Sequence, residues 1–469
     1  MIPLSLHEIA AAVGGEVHDD PAGVTVSGPA FQDTRAPEPG GLYVAFVGAH
    51  VDGHDLAGDA VGAGASAVLG SRPVGVPAVV VDDVQAALGL LARHLLARLP
   101  GVTVLAVTGS QGKTSTKDLL AAVLSANAST VATRGSFNNE IGLPLTVLRA
   151  DVGTRYLLLE MGARGIGHLT TLCQVAPPDV SLVLNVGKAH LGEFGTQADI
   201  AVAKGELVEA LAEDGVAVLN ADDPLVAAMA RRTRGRVLTF GTGEDADVRL
   251  ADVRLDAEGR PEMTITHGGR PVALSLRLVG EHQARNAAAA VAAAAAVGIP
   301  VEDACRILSG VESLSQWRME VHRREDGLTL VNDAYNANPD SMEAALRALA
   351  AIGRGRGGAV RTVAVLGEMR ELGESAPAEH EAVGRLAVRL GVHRLVVVGD
   401  AARAVHQGAL LEGAQGEDAV LVADNDEAVR WLGAHAGPDD VVLVKASRGA
   451  RLDVVADALL RASGTEDAR

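Results

Sequence analysis

Lysine is scarce in this sequence: its 469 residues include 41 lysines and arginines, and only five of these are lysines. They are Lys113, Lys117, Lys188, Lys204 and Lys445. A guanidinium is planar and permanently charged, whereas an amine is a compact point charge whose pKa can be tuned. Codon bias explains the scarcity but not the positions, which lie in or beside candidate nucleotide and metal sites. We therefore expect the lysines to mark the chemistry of this protein.

Aromatic residues are also scarce, and the chain has no excess of positive charge. The chain has 2 Trp, 3 Tyr and 5 Phe, and its net charge is −18. Nucleic-acid surfaces need clustered basic residues, and single strands are held on aromatic stacking platforms, so both functions are disfavoured. An anionic ligand would have to be held locally, by backbone amides, a few cations and metal.

Cysteine pairs and long apolar segments are missing as well. Cys173 and Cys305 lie far apart without metal-ligand spacing, which predicts reduced, buried thiols. The longest apolar run, residues 287–297, is nearly all alanine and too short to span a bilayer. The first eight residues lack the basic and apolar regions of a signal peptide. We expect a cytoplasmic protein.

Short β-branched runs alternate with alanine- and leucine-rich helical stretches along the chain. This rhythm predicts an α/β fold with parallel sheets, whose functional residues gather where strands end. The predicted strands are residues 78–82, 104–108, 156–160, 181–186, 216–220, 362–366, 395–399 and 441–444. Residues 246–280 alternate apolar and polar side chains around two glycine-containing turns, which predicts an antiparallel hairpin insert.

The length and two breaks in this rhythm predict three domains. A Leu-Pro-Gly segment near residue 100 and a polar stretch near residue 312 interrupt the α/β pattern. We place the domains at residues 1–99, 100–312 and 313–469.

A glycine-containing loop joins the predicted strand 104–108 to a predicted helix at residues 114–125. Backbone amides and the helix dipole can cradle phosphates there, with Lys113 neutralising the outer phosphates and the Thr114 hydroxyl reaching Mg²⁺. Val107 stands where the common phosphate loop has its first glycine. A plain glycine turn is the alternative, but strand, Gly-Lys-Thr and helix coincide. The candidate ATP-binding residues are Gly109, Ser110, Gln111, Gly112, Lys113, Thr114 and Ser115.

Two further polar residues follow neighbouring strands of the same predicted sheet. Glu160 ends residues 156–160, and His190 comes just after residues 181–186. A single strand-end carboxylate or loop histidine is more often a cap or a satisfied polar group. Because the carboxyl ends of parallel strands meet at one edge of the sheet, we expect both to be metal ligands beside Thr114.

Lys204 lies on a predicted helix that starts at a Thr196–Asp199 capping box and continues to about Glu213. None of its helical neighbours three and four residues away is acidic, so it does not form an ordinary surface ion pair within the helix. Such a lysine either extends its amine to solvent or is chemically modified. The residues alone favour the first alternative.

Several segments together resemble the Mur ligases, the ATP-dependent amide-forming enzymes of peptidoglycan precursor synthesis. The shared segments are residues 108–114, 185–190, 203–206, 220–223 and 280–286, in the family's order. Residues 135–146, 333–341 and 367–373 are similar to one branch, which joins D-alanyl-D-alanine to UDP-N-acetylmuramoyl-tripeptide. The resemblance implies a UDP-sugar-binding domain, a central ATPase domain and a C-terminal Rossmann-like domain. It also implies ATP and two Mg²⁺ ions as cofactors, and we expect a monomer.

The resemblance assigns further site residues. His282, Asn286, Arg318 and Asp333 match nucleotide-contacting positions, and Lys113, Glu160, His190 and Lys204 match the catalytic group. The matched or expected substrate-binding residues are Asp33, Thr34, Arg35, Gly53, His54, Asn138, Asn139, Asn336, Asn338, Lys445, Ser447 and Arg448. Thr114, Glu160, His190 and a carbamylated Lys204 are the implied metal ligands. A carbamate would give Mg²⁺ an oxygen ligand, which arginine cannot provide.

Other functions remain as alternatives. The diamino-acid-adding Mur ligase carries an Asp-Asn-Pro-Arg motif in its third domain, and this sequence has no such tetrapeptide. A small-molecule kinase is disfavoured by Val107 and by the third domain. A nucleotide-binding protein without catalysis would be expected to lose Glu160 or Lys204, and both are present.

Overall fold

The structure is a computed structural model that describes residues 1–187, 194–357 and 360–461. It has the predicted α/β architecture, built from three successive units that are each centred on a mainly parallel sheet. The buried strands are short apolar runs covered on both faces, as parallel sheets require.

The first unit has a five-stranded sheet in its described residues. Its strands, in spatial order, are Glu16–His18, Ala78–Val80, Ala67–Gly70, Leu42–Val44 and Ala30–Phe31. Only the first pair is antiparallel. A small antiparallel pair, Leu4–Ser5 with Thr25–Val26, lies beside it. The helices are Leu6–Val13, Ala57–Gly62 and Val84–Ala97.

The second unit contains nine described strands in one sheet. In spatial order they are Arg270–Ser275, Pro261–His267, Val248–Leu255, Arg236–Gly241, Val216–Asn220, Val180–Val183, Thr103–Thr108, Tyr156–Glu160 and Thr130–Ala132. Its described helices are Lys113–Asn127, Gly142–Val147, His168–Val175, Gln197–Glu209, Pro224–Ala227, His282–Ala296 and Val301–Leu308. Thr103–Thr108, the strand before the glycine-containing loop, is interior to the sheet and bonds to strands on both sides.

The third unit has six strands among the described residues. In spatial order they are Glu320–Arg323, Thr329–Asp333, Val441–Lys445, Thr362–Leu366, Arg394–Val398 and Ala419–Val422, with only the first pair antiparallel. The helices are Pro339–Gly355, Ala376–Arg389, Arg403–Leu411, Asn425–His435 and Asp453–Arg461.

The segment predicted as a hairpin insert has a different form. Residues 246–280 contain three antiparallel strands, and the first bonds in parallel to Arg236–Gly241, so the segment extends the central sheet. The antiparallel pairing and both turns are as predicted, and the two turns divide the segment into three strands, one more than a single hairpin. Gly259 and Gly268 hold those turns at φ values of 75° and 55°.

The alanine-rich run noted in the sequence is part of a buried helix. His282–Ala296 packs on the central sheet and on Lys113–Asn127, and residues 287–294 are almost fully buried. Small side chains let the helix backbone approach the sheet closely. No helix among the described residues is both long and apolar enough to cross a membrane.

Apolar burial joins the first two units. One continuous cluster runs from Leu4 in the first unit, through the helix Val84–Ala97, to Leu145 and Leu159 in the second. Burial of each large aliphatic side chain contributes about 1.5–3 kcal/mol. This cluster therefore fixes the first unit against the second.

Candidate active site

The glycine-containing loop lies between strand and helix, as the sequence predicted. The helix Lys113–Asn127 begins directly after Gly112, which has a φ of 78°. A Cβ at Gly112 would lie 2.6 Å from Oδ1 of Asn286, so both the backbone and the space require glycine. Asn286, predicted as a nucleotide contact, therefore lies against the loop.

Asn185 holds the first half of the loop. Its Oδ1 accepts hydrogen bonds from the backbone amides of Ser110 and Gln111, each at 3.0 Å. Those two amides are thus already bound, which narrows the predicted phosphate cradle to Gly112 and the first helical turn. The first-turn N–H groups have no intrahelical acceptors and lie at the positive end of the helix dipole. The sequence comparison included Asn185 but assigned it no role.

Lys113 and Ser115 lie in that first turn. The Lys113 Nζ donates to the Gly109 carbonyl oxygen at 2.7 Å, so the side chain folds back over the loop. Burial lowers the pKa of the Lys113 amine, and the nearby Glu160 carboxylate opposes that shift. The amine therefore stands between the loop and the carboxylate, where an anionic ligand would meet it.

Glu160 ends the strand next to the loop and is only 1% exposed. Asn138 Nδ2 donates to its Oε1 at 2.8 Å, whereas its buried Oε2 has no hydrogen-bond partner in the part of the chain that the structure describes. A buried carboxylate oxygen without a partner is costly, so a ligand is expected to complete it. A metal ion fits this demand, and the Thr114 hydroxyl lines the same cleft.

The described residues supply only part of a metal site. No group of three or more His, Cys, Asp or Glu side chains that could hold a metal occurs among residues 1–187, 194–357 and 360–461. His190, the fourth predicted ligand, lies outside these ranges. Glu160, Thr114 and Lys204 line one cleft, and Glu160 is the one carboxylate among these three.

Lys204 points into the same cleft from the helix Gln197–Glu209. The predicted capping box is confirmed: Thr196 Oγ1 accepts from the Asp199 amide at 3.2 Å. The side chain is only 3% exposed, so the solvent-extended alternative is wrong. Burial, reinforced by nearby Lys113, holds the pKa of the Lys204 amine well below its usual value. No described residue forms an ion pair with it.

Arg318 brings the third unit to the loop. Its guanidinium donates to Thr114 Oγ1 at 3.2 Å and to Ser136 Oγ at 3.3 Å. The same group lies 4.2 Å from the centre of the Tyr335 ring. The structure therefore places Arg318 at the predicted meeting point of the two units, together with Ser136 and Tyr335, which sequence reasoning did not single out.

Asp333 and Lys445 form a buried ion pair at 2.6 Å. The Lys445 Nζ also donates to the Asn336 carbonyl oxygen at 2.9 Å. Asp333 Oδ1 accepts from the Met319 amide, so this pair fixes the segment that carries Arg318. The Lys445 amine is thus bound inside the protein, and Lys445 is not among the residues that line the cleft, so its predicted contact with the substrate stays a prediction. The pairing was missed because the two residues lie 112 positions apart.

Other predicted substrate residues divide into cleft and capping positions. Asn138, Asn139, Asn336 and Asn338 all line the cleft. The Asn139 and Asn338 side chains, however, accept from backbone amides at helix starts: Asn139 from Gly142 at 2.9 Å and Asn338 from Ser341 at 2.8 Å. The side chains of these two residues are therefore already used in local structure.

Ser447 and Arg448 stabilise the third unit's loops. The buried Ser447 Oγ accepts from the Arg370 amide at 3.0 Å. Arg448 lies 4.0 Å from the centre of the Trp317 ring. Neither is among the residues that line the cleft, so their predicted dipeptide contact stays a prediction.

A second cavity lies on the other side of Gly112. It is lined by Gln111, Asn185, Asn220, His282, Arg285 and Asn286, among others. Burial lowers the pKa of His282 to about 4, despite the attraction of Asp333. His282 is therefore neutral at pH 7, so its ring can both donate and accept hydrogen bonds.

The two predicted segments of the first unit meet around Tyr43. Burial, with Asp33 and Asp52 nearby, raises the pKa of the Tyr43 hydroxyl, which donates to the Gly53 carbonyl oxygen at 3.0 Å. Sequence reasoning missed Tyr43 because a single tyrosine in a strand gives little signal. Thr34 lies in the turn between Asp33 and Arg35.

His54 and Arg35 differ in whether a ligand can reach their side chains. His54 is buried, and its Nε2 accepts from the Ser71 amide at 2.8 Å, so its Nδ1 carries the proton that bonds Asp52. Arg35 is exposed and paired with Asp33 at 2.7 Å. His54 therefore shapes the loop, whereas Arg35 can exchange its partner for a ligand.

The cleft between the second and third units has a volume of about 210 Å³. Its walls carry the cations Lys113 and Arg318, the amine of Lys204, and the carboxylates Glu160 and Glu371. This arrangement can hold a polyphosphate, neutralise charge that develops during phosphoryl transfer and bring a second substrate from the third unit. No protein nucleophile is needed for such a transfer.

Comparisons with known families match most of this architecture. Residues 107–294 match the family described as the Mur ligase middle domain, and residues 317–448 match the Mur ligase, glutamate ligase domain. A curated relative from Mycobacterium tuberculosis (strain ATCC 25618 / H37Rv) is 48% identical over 98% of each chain. It is named UDP-N-acetylmuramoyl-tripeptide--D-alanyl-D-alanine ligase.

Two solved structures are similar over nearly the whole chain. MurF from Acinetobacter baumannii is 29% identical and has a TM-score of 0.85, with 98% of this chain and 99% of that chain covered. MurF ligase from Thermotoga maritima, solved with ADP, is 29% identical and has a TM-score of 0.78, with 93% and 97% covered. These matches agree with the three-unit arrangement seen here.

Proposed function

The chain belongs to the Mur ligase family, and from this membership we propose that it joins D-alanyl-D-alanine to UDP-N-acetylmuramoyl-tripeptide with hydrolysis of ATP. The observation that carries the proposal is the 48% identity, over nearly both full chains, to a relative of that name. The product is the UDP-N-acetylmuramoyl-pentapeptide used in peptidoglycan synthesis.

The chemistry proceeds in two steps. The terminal carboxylate of the tripeptide attacks the γ-phosphorus of ATP, which forms an acyl phosphate and releases ADP. The amine of the dipeptide then attacks the acyl carbon, loses a proton, and expels inorganic phosphate. Both steps require the positioning and charge stabilisation that the cleft offers.

We assign the nucleotide to the loop and to the two cavities beside it. The first-turn amides and Lys113 would bind the phosphates, and Arg318 would add a cation from the third unit. His282 and Asn286 would contact the nucleoside end, because they line the cavity on the other side of Gly112. The relative solved with ADP supports the use of ATP.

We assign the metal site to Glu160, Thr114 and Lys204, with His190 as a further ligand. Mg²⁺ ions, when bound there, would neutralise phosphate charge. The unpartnered Glu160 Oε2 fits such an ion. A buried lysine whose pKa is well below its usual value can react as a neutral amine with carbon dioxide, and the resulting carbamate would supply oxygen ligands.

The boundaries at residues 99 and 312 and the role of the first unit are also proposals. The exposed Arg35 and the loop around Tyr43 and Gly53 are the proposed UDP-binding elements. A cytoplasmic location accords with substrates that are nucleotide-activated precursors.

The experiment is an ADP-release assay with two substrate pairs. D-Alanyl-D-alanine with UDP-N-acetylmuramoyl-tripeptide should support ADP release, whereas diaminopimelate or lysine with UDP-N-acetylmuramoyl-dipeptide should not. Lys113→Ala should lower kcat about 10³-fold or more, because the transferred phosphoryl group loses a fixed cation. Activity with the second pair alone would replace this function by that of the diamino-acid-adding ligase. ATP binding without ADP release would favour the non-catalytic alternative.

A further inference from the structure

Glu371 is a carboxylate on the third unit's wall of the cleft that the proposed mechanism does not use. It follows the strand Thr362–Leu366 and lines the cleft together with Lys113, Asn336 and Asn338. It also lies close enough to Lys113 to oppose the lowering of that amine's pKa. A function for this side chain therefore has to be sought in the cleft.

The loop that carries Glu371 is fixed by three hydrogen bonds, one to His380 and two to Ser447. The Met369 amide donates to the buried His380 Nε2 at 2.9 Å, and the Arg370 amide donates to Ser447 Oγ at 3.0 Å. The Ser447 amide donates to the Glu368 carbonyl oxygen at 2.9 Å. The position of Glu371 is therefore set by the sheet and by the helix Ala376–Arg389.

Two buried neighbours set the direction of Glu371. Met369 and Leu372 are almost fully buried in the third unit's core, whereas Glu371 is exposed. Its φ is 65°, in the left-handed region that glutamate rarely adopts. Backbone strain of this kind persists where the surrounding structure enforces it, and it concentrates at functional sites. Both observations indicate a side chain that is held towards the cleft for a ligand.

The charges of the substrates decide which ligand this is. ATP, the UDP-linked peptide and the acyl phosphate are all anionic and would be repelled by a carboxylate on this wall. The incoming dipeptide is the one proposed substrate whose reacting group arrives as a cation, its ammonium group. A carboxylate is the natural partner of an ammonium in a charge-assisted hydrogen bond.

We propose that Glu371 binds the ammonium group of the incoming amine substrate and positions it for attack, an assignment that rests on the proposed function. Glu371 is thus a substrate-positioning residue from the third unit, across the cleft from the phosphate loop. Asn336 and Asn338 lie on the same wall, where they border the path of the dipeptide.

The test compares Glu371→Gln, Glu371→Asp and Glu374→Gln in the full-length enzyme. Gln keeps the shape and removes the charge, Asp keeps the charge, and Glu374 is an exposed carboxylate on the same segment that does not line the cleft. We expect Glu371→Gln to lower kcat/KM for D-alanyl-D-alanine by about 10-fold or more, from the loss of a charge-assisted bond. The KM values for ATP and the UDP-linked tripeptide should stay within about twofold, as for a surface substitution outside the binding contacts.

Two further arms separate binding of the amine from the rest of the reaction. Glu371→Asp should recover part of the lost efficiency, and Glu374→Gln should behave as wild type. Hydroxylamine is uncharged at neutral pH and can trap the acyl phosphate, so its reaction should be equal in wild type and Glu371→Gln.

The possible failures are distinguishable. If the wild type releases no ADP in response to D-alanyl-D-alanine, the proposed function and this inference both fall. If the wild type does respond but Glu371→Gln keeps its dipeptide efficiency, only this inference is overturned. If Glu371→Gln instead needs a higher concentration of Mg²⁺ or ATP and keeps its efficiency with the dipeptide, the inference is overturned in favour of a metal-binding role. If Glu371→Gln loses activity equally with hydroxylamine and with the dipeptide, Glu371 has only a structural role.

Discussion

Lys204 in the second unit and Lys445 in the third are both buried, with 3% and 1% exposure, yet their surroundings are opposite. Lys445 bonds to Asp333 and to the Asn336 carbonyl oxygen. Lys204 has no ion pair among the described residues, and the charge of Lys113 lowers its pKa further. Burial lowers the pKa of both amines, but only Lys445 has a carboxylate that opposes the shift.

The difference separates a structural lysine from a chemical one. A buried charge with a partner stabilises the geometry of its neighbours, here the segment that carries Arg318. A buried amine without a partner is unfavourable for the empty protein and becomes favourable only with a ligand or a modification. The same residue type therefore serves folding in one unit and, on our proposal, catalysis in the other.

The largest expected effect is on turnover, at Lys204. Lys204→Ala should lower kcat about 10³-fold or more, since an oxygen ligand for Mg²⁺ would be lost. Its urea midpoint should stay equal to that of wild type or rise, because the substitution removes a buried amine that has no ion-pair partner among the described residues. Small carboxylic acids should restore part of the activity.

Lys204→Arg is the matched control, because it keeps a cation but can form no carbamate. It should be as inactive as Lys204→Ala. An active Lys204→Arg enzyme would contradict the carbamate proposal. Lys204 would then have a structural role, as Lys445 has.

The next effect is on stability, at Lys445. Lys445→Met should lower the free energy of unfolding by about 3–5 kcal/mol, because Asp333 is left as a buried charge without its partner. The urea midpoint measures this loss. The double variant Asp333→Asn with Lys445→Met removes the remaining buried charge. It should therefore recover much of the lost free energy of unfolding. An unchanged midpoint in the single variant would show that the pair is not structural.

A smaller effect concerns acid stability at His282, beside the Asp333–Lys445 pair. Its folded pKa of about 4 lies below the ordinary value of 6.5, so the unfolded chain binds more protons between these values. This contribution to stability is fully present above pH 6.5, falls as the pH drops to about 4, and changes no further below that. His282→Gln should flatten the pH dependence of the free energy of unfolding by roughly 3 kcal/mol across this window. A pH dependence identical to that of wild type would contradict the assignment.

The smallest effect is expected at Lys117, a third buried lysine with an intermediate environment. Its Nζ donates to the Thr133 carbonyl oxygen at 2.8 Å and pairs with Asp118 at 2.5 Å. Asp118 and Asp333 each keep a backbone amide donor if the lysine is removed, but the Asp118 side chain is 17% exposed and that of Asp333 11%, so water replaces the lysine more readily at Asp118. Lys117→Met should therefore lower the free energy of unfolding by about 1 kcal/mol, well below Lys445→Met. Equal losses at both sites would show that the exposure of the remaining carboxylate does not matter.

Local features of this protein could be predicted from the sequence. The strands Tyr156–Glu160 and Val216–Asn220 have the predicted bounds, and the helix Gln197–Glu209 begins after the predicted cap Thr196. That helix ends four residues earlier than predicted, because the chain must turn at Gly215 to enter the next strand. Hydrophobic periodicity and capping act over a few residues, so they leave a signal in the local sequence.

The sequence by itself determined the α/β pattern, the loop around Lys113 and the strand-end position of Glu160. The tertiary structure alone decided that Lys445 is neutralised by Asp333 and that Arg318 reaches Thr114 from 204 positions away. It also decided that Lys204 is buried without an ion-pair partner among the described residues. Each of these depends on which distant side chains the packed sheets bring together. No local pattern encodes that proximity, because it is fixed by the packing of whole units against one another.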